Sequence, residues 1–407
     1  MQKLKIGILG TRGIPNHYGG FEQFAQYLSL GLVQRGHEVF VYNSDQHPYQ
    51  EKDWNGVNII HCRDLEYKFG TFGQFFYDLN CNRDAAKRDF DILLHLGYTS
   101  DSVWHWKWPK KTINMVNMDG MEWKRSKYNK MTQRFLRWAE SLAAKNAQVL
   151  VADSPRIKEY LKETYNKDAV FIPYGAELFT AVDADVPAQH RLVPYEYFLL
   201  VARMEPENNI EMIVRGHIAS GHKFPLVIIG NITNKFGQYL KSTYNHPNIR
   251  FDGPVYDQPE LSNLRYHSAR YFHGHSVGGT NPSLLEAMAC NCNIAAHDNV
   301  FNKAVLNGEA DYFSSAEEIA TLINTPLNGQ LAAHRQEMNR NKIRHIYNLE
   351  KNISDYENLM LASCGVSAGI NIELFECAGK HHHPDHVFNH IRNEAACKLV
   401  SEHEDEE

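Results

Sequence analysis

Apolar positions in the first half of the chain fall into short runs separated by amphipathic stretches. Lys5–Gly10 is a strand-length run, and Thr11–Gly20 is a loop bearing several glycines. From there Phe21, Phe24, Ala25, Leu28 and Leu32 recur at helical spacing, and Gly36 ends the helix after Arg35. A second strand over Val39–Tyr42 follows at once, so the chain opens as a βαβ unit and therefore as a parallel sheet. Further strands are expected at Val57–His61, Ile92–Leu96, Thr112–Asn117 and Val149–Ala152, and Val170–Ala176 reads as a last strand ending in a turn.

Residues 178–195 break the periodicity with Asp183, Asp185, Pro187 and Pro194 and read as a linker between domains 1–177 and 196–345. The alternation then restarts. Strands are expected at Tyr197–Val201, Leu226–Gly230, Ile249–Phe251 and Tyr271–His273, with helices at Asn209–Ala219, Gly237–Tyr244 and Pro259–Ala269. A further helix is expected over 346–362, and 363–407 reads as a weakly structured tail ending in an acidic run. The fold class is α/β: two Rossmann-like, doubly wound parallel-sheet domains facing a cleft, the usual place for a ligand.

Composition narrows this little. The 407 residues are 43% hydrophobic and 22% charged, as in ordinary globular proteins, with a net charge of −6 that argues against a polyanion-binding machine. Seven cysteines without a CxxC pair read as reduced thiols of a cytosolic protein. The N-terminus reads as a strand, not a signal peptide, and no window approaches a membrane-spanning length.

Two glycine loops carry the candidate chemistry. Gly7-Ile-Leu-Gly10-Thr-Arg-Gly13 has the wrong spacing for a dinucleotide fingerprint, which leaves a nicotinamide-dependent oxidoreductase as a third reading at best. Gly19-Gly20 stands directly before a helix, where free amides and the helix dipole suit a phosphate; a turn that merely needs glycine is the alternative. The second loop, His273–Met288, opens a helix with Asn281 as N-cap and Pro282 as first residue. Glu286 then falls just over one turn in, where its carboxylate can hold the vicinal hydroxyls of a ribose. A capping box from Ser283 to Glu286 competes with that reading. Arg203, just past the strand Tyr197–Val201, suits a diphosphate, the alternative being an ion pair with Glu205 or Glu207.

Four segments together resemble glycosyltransferase family 4 of the GT-B fold, and more closely its bacterial capsule and polysaccharide subgroup that includes rhamnosyltransferases. They are Gly10–Glu22, Met118–Arg125, Ala202–Ile210 and His275–Met288, spread over both domains. The resemblance implies a donor-diphosphate site at Gly19 and Gly20, with Arg203 acting on the diphosphate from the other domain, and Gly278, Gly279, Thr280, Asn281 and Glu286 around the nucleotide. It implies an acceptor-side or catalytic role for Asp119, with Arg203 as its catalytic counterpart. The implied reaction moves a sugar from a nucleoside diphosphate sugar (dTDP-rhamnose or a UDP-sugar) to a glycan or lipid-linked acceptor, with retention and with no cofactor or metal.

Two positions depart from the family pattern. Gly278 stands where the first acid of a glutamate pair is expected, eight residues before Glu286, and Asn208 replaces a lysine five residues after Arg203. Compensation by the amides of Val277–Asn281 is the favoured account; a non-catalytic nucleotide-sugar-binding partner is the alternative. Asp183-Ala-Asp185 imitates a metal-binding DxD but sits in the linker, and the tail segment Cys377–His390 has only superficial zinc-ligand spacing. The segment Trp104–Trp138 holds five of the six tryptophans and nine Lys or Arg against two acids. That composition suits an anionic membrane surface or a lipid-diphosphate acceptor, with Glu122, Trp123, Lys124 and Arg125 as candidate contacts. Tryptophans anchored in the core beneath a solvated face are the alternative. No RNA-binding module surrounds the segment, so nucleic acid is not an expected partner. The expected location is cytoplasmic, peripheral at the inner face of the plasma membrane.

Overall fold

The structure is a computed structural model that describes residues 2–125 and 128–365. The tail motif Cys377–His390 and Lys127 lie outside the described residues. Strands such as Ile92–Leu96 are buried at every position, the pattern of a parallel strand covered by helices on both faces.

The first sheet holds β1 Lys5–Leu9, β2 Glu38–Ser44, β3 Asp53–Trp54, β4 Val57–Cys62, β5 Ile92–Leu96, β6 Ile113–Asn117, β7 Val149–Ala152 and β8 Val170–Phe171. Its order is β3-β4-β2-β1-β5-β6-β7-β8, parallel throughout except for the β3–β4 hairpin. That hairpin turns on Asn55 and Gly56, both at positive φ, a turn chemistry the sequence reading passed over. The second sheet holds β9 Phe198–Val201, β10 Leu226–Ile229, β11 Ile249–Gly253, β12 Arg270–His273, β13 Ile294–His297 and β14 Asp311–Phe313. Its order is β11-β10-β9-β12-β13-β14, all parallel. In each sheet the order reverses beside the opening strand, β1 or β9. Loops leaving there diverge and open a crevice at the strands' carboxyl ends.

Most expected strands are present, with ends moved by a residue or so. Val170–Ala176 shrinks to the two residues of β8; Pro173 has no N–H for a ladder, and Ala176 instead bridges to Asn348. Residues 178–195 include a helical turn, Val186–Gln189, and are tied down at both ends. The Asp183 N–H donates to Asn263 (2.7 Å), and the Tyr195 N–H donates to the His267 carbonyl (2.7 Å). The helix Leu349–Ser363 returns to the first sheet. There Tyr356 packs on Phe24 and accepts a hydrogen bond from Asn117 (3.0 Å), while Glu357 accepts from Arg35 (3.0 Å) and pairs with His37 (2.9 Å). Among the described residues no helix is long and apolar enough to cross a membrane.

Candidate functional site

Three loops at the carboxyl ends of β1, β9 and β12 converge with those of β6 and β7. After β1, Gly10 has φ +92 and a Cβ there would lie 2.4 Å from the Leu96 carbonyl oxygen, so the chain turns where only glycine fits. Glu22, buried, reaches back from the helix Gly20–Gln34 to accept the Arg12 N–H (2.9 Å) and fixes the loop. Gly19 is the N-cap of that helix, and no side chain caps it. The first-turn amides are therefore left for a ligand or solvent.

The helix Pro282–Ala289 begins as the sequence suggests. Asn281 is the N-cap and accepts the Ser283 N–H (2.9 Å), so the Ser283-to-Glu286 capping box does not form. Gly20 lies against Pro282, where a Cβ added to Gly20 would be 3.7 Å from the proline ring. The two helix starts, one uncapped and one capped by Asn281, thus stand side by side across the cleft. Glu286 spans it: one carboxylate oxygen accepts from Gln23 (2.8 Å) and the other from Arg265 (2.5 Å). Burial opposes the charge on Arg265, yet Glu286 beside it holds its pKa above the ordinary arginine value.

The second glycine loop is gripped from the first domain. Asp153, at the end of β7, accepts the Thr280 N–H (3.0 Å), and its carbonyl accepts the Thr280 hydroxyl (2.6 Å). Gly279 is packed so closely that a Cβ would sit 1.9 Å from the Asp153 carboxylate, and one on Gly120 would sit 2.8 Å from Gly278. Burial, with Asp119 nearby, pushes the Asp153 carboxyl well above the usual carboxylate range. The Thr280 amide is thus already used by protein in this arrangement, while Gly278, at φ +131, has open space around it.

Asp119 adopts φ +46 and its N–H donates to Asn117 (2.9 Å). Burial raises its pKa despite the opposing fields of Arg125 and Arg203. Glu122 is raised in the same way by burial, against the pull of Arg125. Arg125 joins the halves, pairing with Glu122 (2.5 Å) and with Glu207 (3.3 Å). Its guanidinium is thus held between the two halves. Lys124 is exposed, and Trp123 is partly buried with the Arg137 guanidinium 5.2 Å from its ring centre. Arg203 is exposed and, among the described residues, makes no ion pair. Asn208, where a lysine was expected, is buried and donates to the Arg203 carbonyl (2.7 Å), so it shapes the loop that carries the arginine.

Residues 3–177 match a family described as Domain of unknown function (DUF1972). No curated protein sequence matches significantly. Solved structures do. Sucrose-phosphate synthase from Thermosynechococcus elongatus superposes with a TM-score of 0.73 at 15% identity, covering 90% of this chain and all (100%) of that one. Anabaena HepE in complex with UDP and glucose gives 0.69 at 13%, covering 88% of this chain and 100% of that one. Trehalose 6-phosphate synthase from Burkholderia multivorans gives 0.64 at 12%, over 90% and 100%.

The fold is GT-B. In this GT-B chain contacts between the halves join Gly20 to Pro282, Gly120 to Gly278, Asp153 to Gly279 and Thr280, and Gln23 to Glu286.

Sequence reasoning missed Asp153, Gln23 and Arg265, and it offered Glu207 as a partner for Arg203 where the structure pairs it with Arg125. Asp153 carried a usable signal, since it follows the strand Val149–Ala152 as Asp119 follows β6. Arg265 also did, as a cation in the apolar stripe of the helix Gln258–Tyr266, next to Leu261 and Leu264.

Two histidines also belong to the second loop, His273 buried and His275 partly buried. His273 and His275 stack with ring centres 4.5 Å apart. Burial holds both neutral, pushing His273 down to about 3 and His275 well below its ordinary value.

Proposed function

We propose that the protein is a glycosyltransferase that moves a sugar from a nucleoside diphosphate sugar to a glycan or lipid-linked acceptor. The observation that supports this reading is the close approach of the uncapped helix start at Gly19-Gly20 to the second glycine loop in a GT-B fold, with the exposed guanidinium of Arg203 near Asp119 and His275. Positive helix ends and an arginine placed where a diphosphate leaves stabilise the charge that develops there. Glu286, held rigid by Arg265 and Gln23, would accept the ribose hydroxyls. The acceptor hydroxyl would approach from the Asp119 and Glu122 side, and the contacts joining the halves at Gly120 and Asp153 would keep water out. HepE has been solved with UDP-glucose, which supports a nucleotide-sugar donor here.

In finer detail, the resemblance favours family 4, a rhamnose donor, retention, and a role in bacterial polysaccharide synthesis at the inner face of the plasma membrane. Amides and the Arg203 guanidinium would take the place of a metal ion at the phosphates. Purified protein should release nucleoside diphosphate from dTDP-rhamnose or a UDP-sugar once acceptor is supplied. Binding without release, across donors and acceptors, would favour the second reading, a non-catalytic nucleotide-sugar-binding partner, which Gly278 and Asn208 support.

A further inference from the structure

We infer that the first domain carries a bilayer-docking face whose aromatic tip, residues 67–76, inserts among lipids while flanking cations engage anionic head groups. This extends the membrane part of the reading above, and its test does not depend on glycosyl transfer.

The tip lies outside the tryptophan-rich segment. Between Glu66 and Phe76 the chain makes two short helical turns around Gly70, which adopts φ +57. There Phe69 and Phe72 are 59% and 64% exposed, with Tyr67 and Phe76 also open to solvent. Ring contacts carry the surface onward: Phe72 meets Phe75 (5.5 Å), Phe75 meets Phe135 (5.7 Å), and Phe135 meets the exposed Trp138 (5.6 Å). Trp104 ties in the third strip, donating to the Phe75 carbonyl (2.9 Å) and touching the exposed Trp106 (5.4 Å). A soluble protein rarely leaves so many connected aromatics bare without a partner for them.

Charge selects the partner. Residues 66–76, 104–111 and 128–138 hold seven Lys or Arg, all exposed, and one acid. That acid, Glu66, is taken by both arms of Arg12 (3.0 and 2.7 Å). Aromatic rings with an uncompensated ring of cations match the interface of an anionic bilayer. The tryptophans divide accordingly: Trp108 is buried in the core, whereas Trp106 and Trp138 face outward. The strips 66–76 and 128–138 follow β4 and β6 on the sheet edge that carries Asp119, while 104–111 runs from the carboxyl side of β5 toward the start of β6. A head group at the bilayer surface would meet the cleft from that edge.

Sedimentation with phosphatidylcholine vesicles, with and without phosphatidylglycerol, tests the inference. The full chain should bind the anionic vesicles only, and less as salt rises. The exposed-site double variant Phe69→Ala/Phe72→Ala should keep its circular dichroism and lose about tenfold or more in partitioning. Tyr239→Ala, an exposed aromatic of the other half, should change binding by less than about twofold. Equal recovery with both vesicle types, or a double variant that binds like the wild type, would overturn the inference. So would a dimer that the same double variant abolishes in a protein with no vesicle binding, which would assign the face to a second copy. Vesicle binding without nucleotide release would refute the catalytic reading and leave this one standing.

Discussion

Replacing Glu286 by glutamine separates a binding role from a structural one. In the structure the carboxylate bridges Gln23 and Arg265, whose side chain is only 1% exposed against 17% for Glu286. The Nε and Nη1 of Arg265 have no hydrogen-bond partner among the described residues, and Glu286 supplies its counter-charge. Removing one member of a buried ion pair typically costs about 3–5 kcal/mol. Glutamine keeps one acceptor and the site is partly wet, so about 2 kcal/mol is expected for Glu286→Gln. Its amide can accept from Arg265 or from Gln23, but not from both without turning a donor onto a donor. Urea unfolding should show this loss. Calorimetry should show nucleoside and nucleoside diphosphate weakened alike, by about tenfold. Unchanged stability would refute the ion-pair account. Lost stability with intact affinity would refute the ribose assignment.

Gly279→Ala would press a methyl into the Asp153 carboxylate; about 1–3 kcal/mol of stability should be lost in urea unfolding, and no loss would contradict the packing across the cleft. The folded pKa of Asp153 is raised, so the stability it contributes is present below about pH 4 and lost as pH rises through the folded value. Asp153→Asn cannot ionise, and its melting temperature relative to wild type should therefore climb from pH 4 toward neutrality; a falling difference would reverse the sign and refute the account. Tyr356→Ala should cost about 3–5 kcal/mol in urea unfolding, because it empties the contact between the returning helix and Phe24; a cost below about 1 kcal/mol would show that helix to be loosely held.

The strand–helix alternation was legible because buried parallel strands are short apolar runs and the helices between them carry a clear apolar stripe. β13, Ile294-Ala-Ala-His297, and β14, three residues long, went unassigned because neither run is long or apolar enough to stand out. Glycine loops were legible because only backbone geometry is at stake there, as at Gly10 and Gly278. Partners across the cleft were not. Nothing local connects Asp153 with Thr280 or Gln23 with Glu286, which lie 127 and 263 residues apart. The aromatic tip was also missed, since nothing in the spacing of Tyr67, Phe69, Phe72 and Phe76 separates them from a core face. Only solvent exposure distinguishes them.

The central claim is that Arg203 and the two glycine loops hold the diphosphate of a nucleotide. Calorimetric titration of wild type and Arg203→Ala with nucleoside, nucleoside diphosphate and nucleotide sugar tests it most directly. A charge-assisted contact is worth about 1.5–3 kcal/mol, so the variant should lose about ten- to a hundredfold for both diphosphate ligands and little for the nucleoside. Equal losses for all three ligands, or no binding of any nucleotide by the wild type, would contradict it.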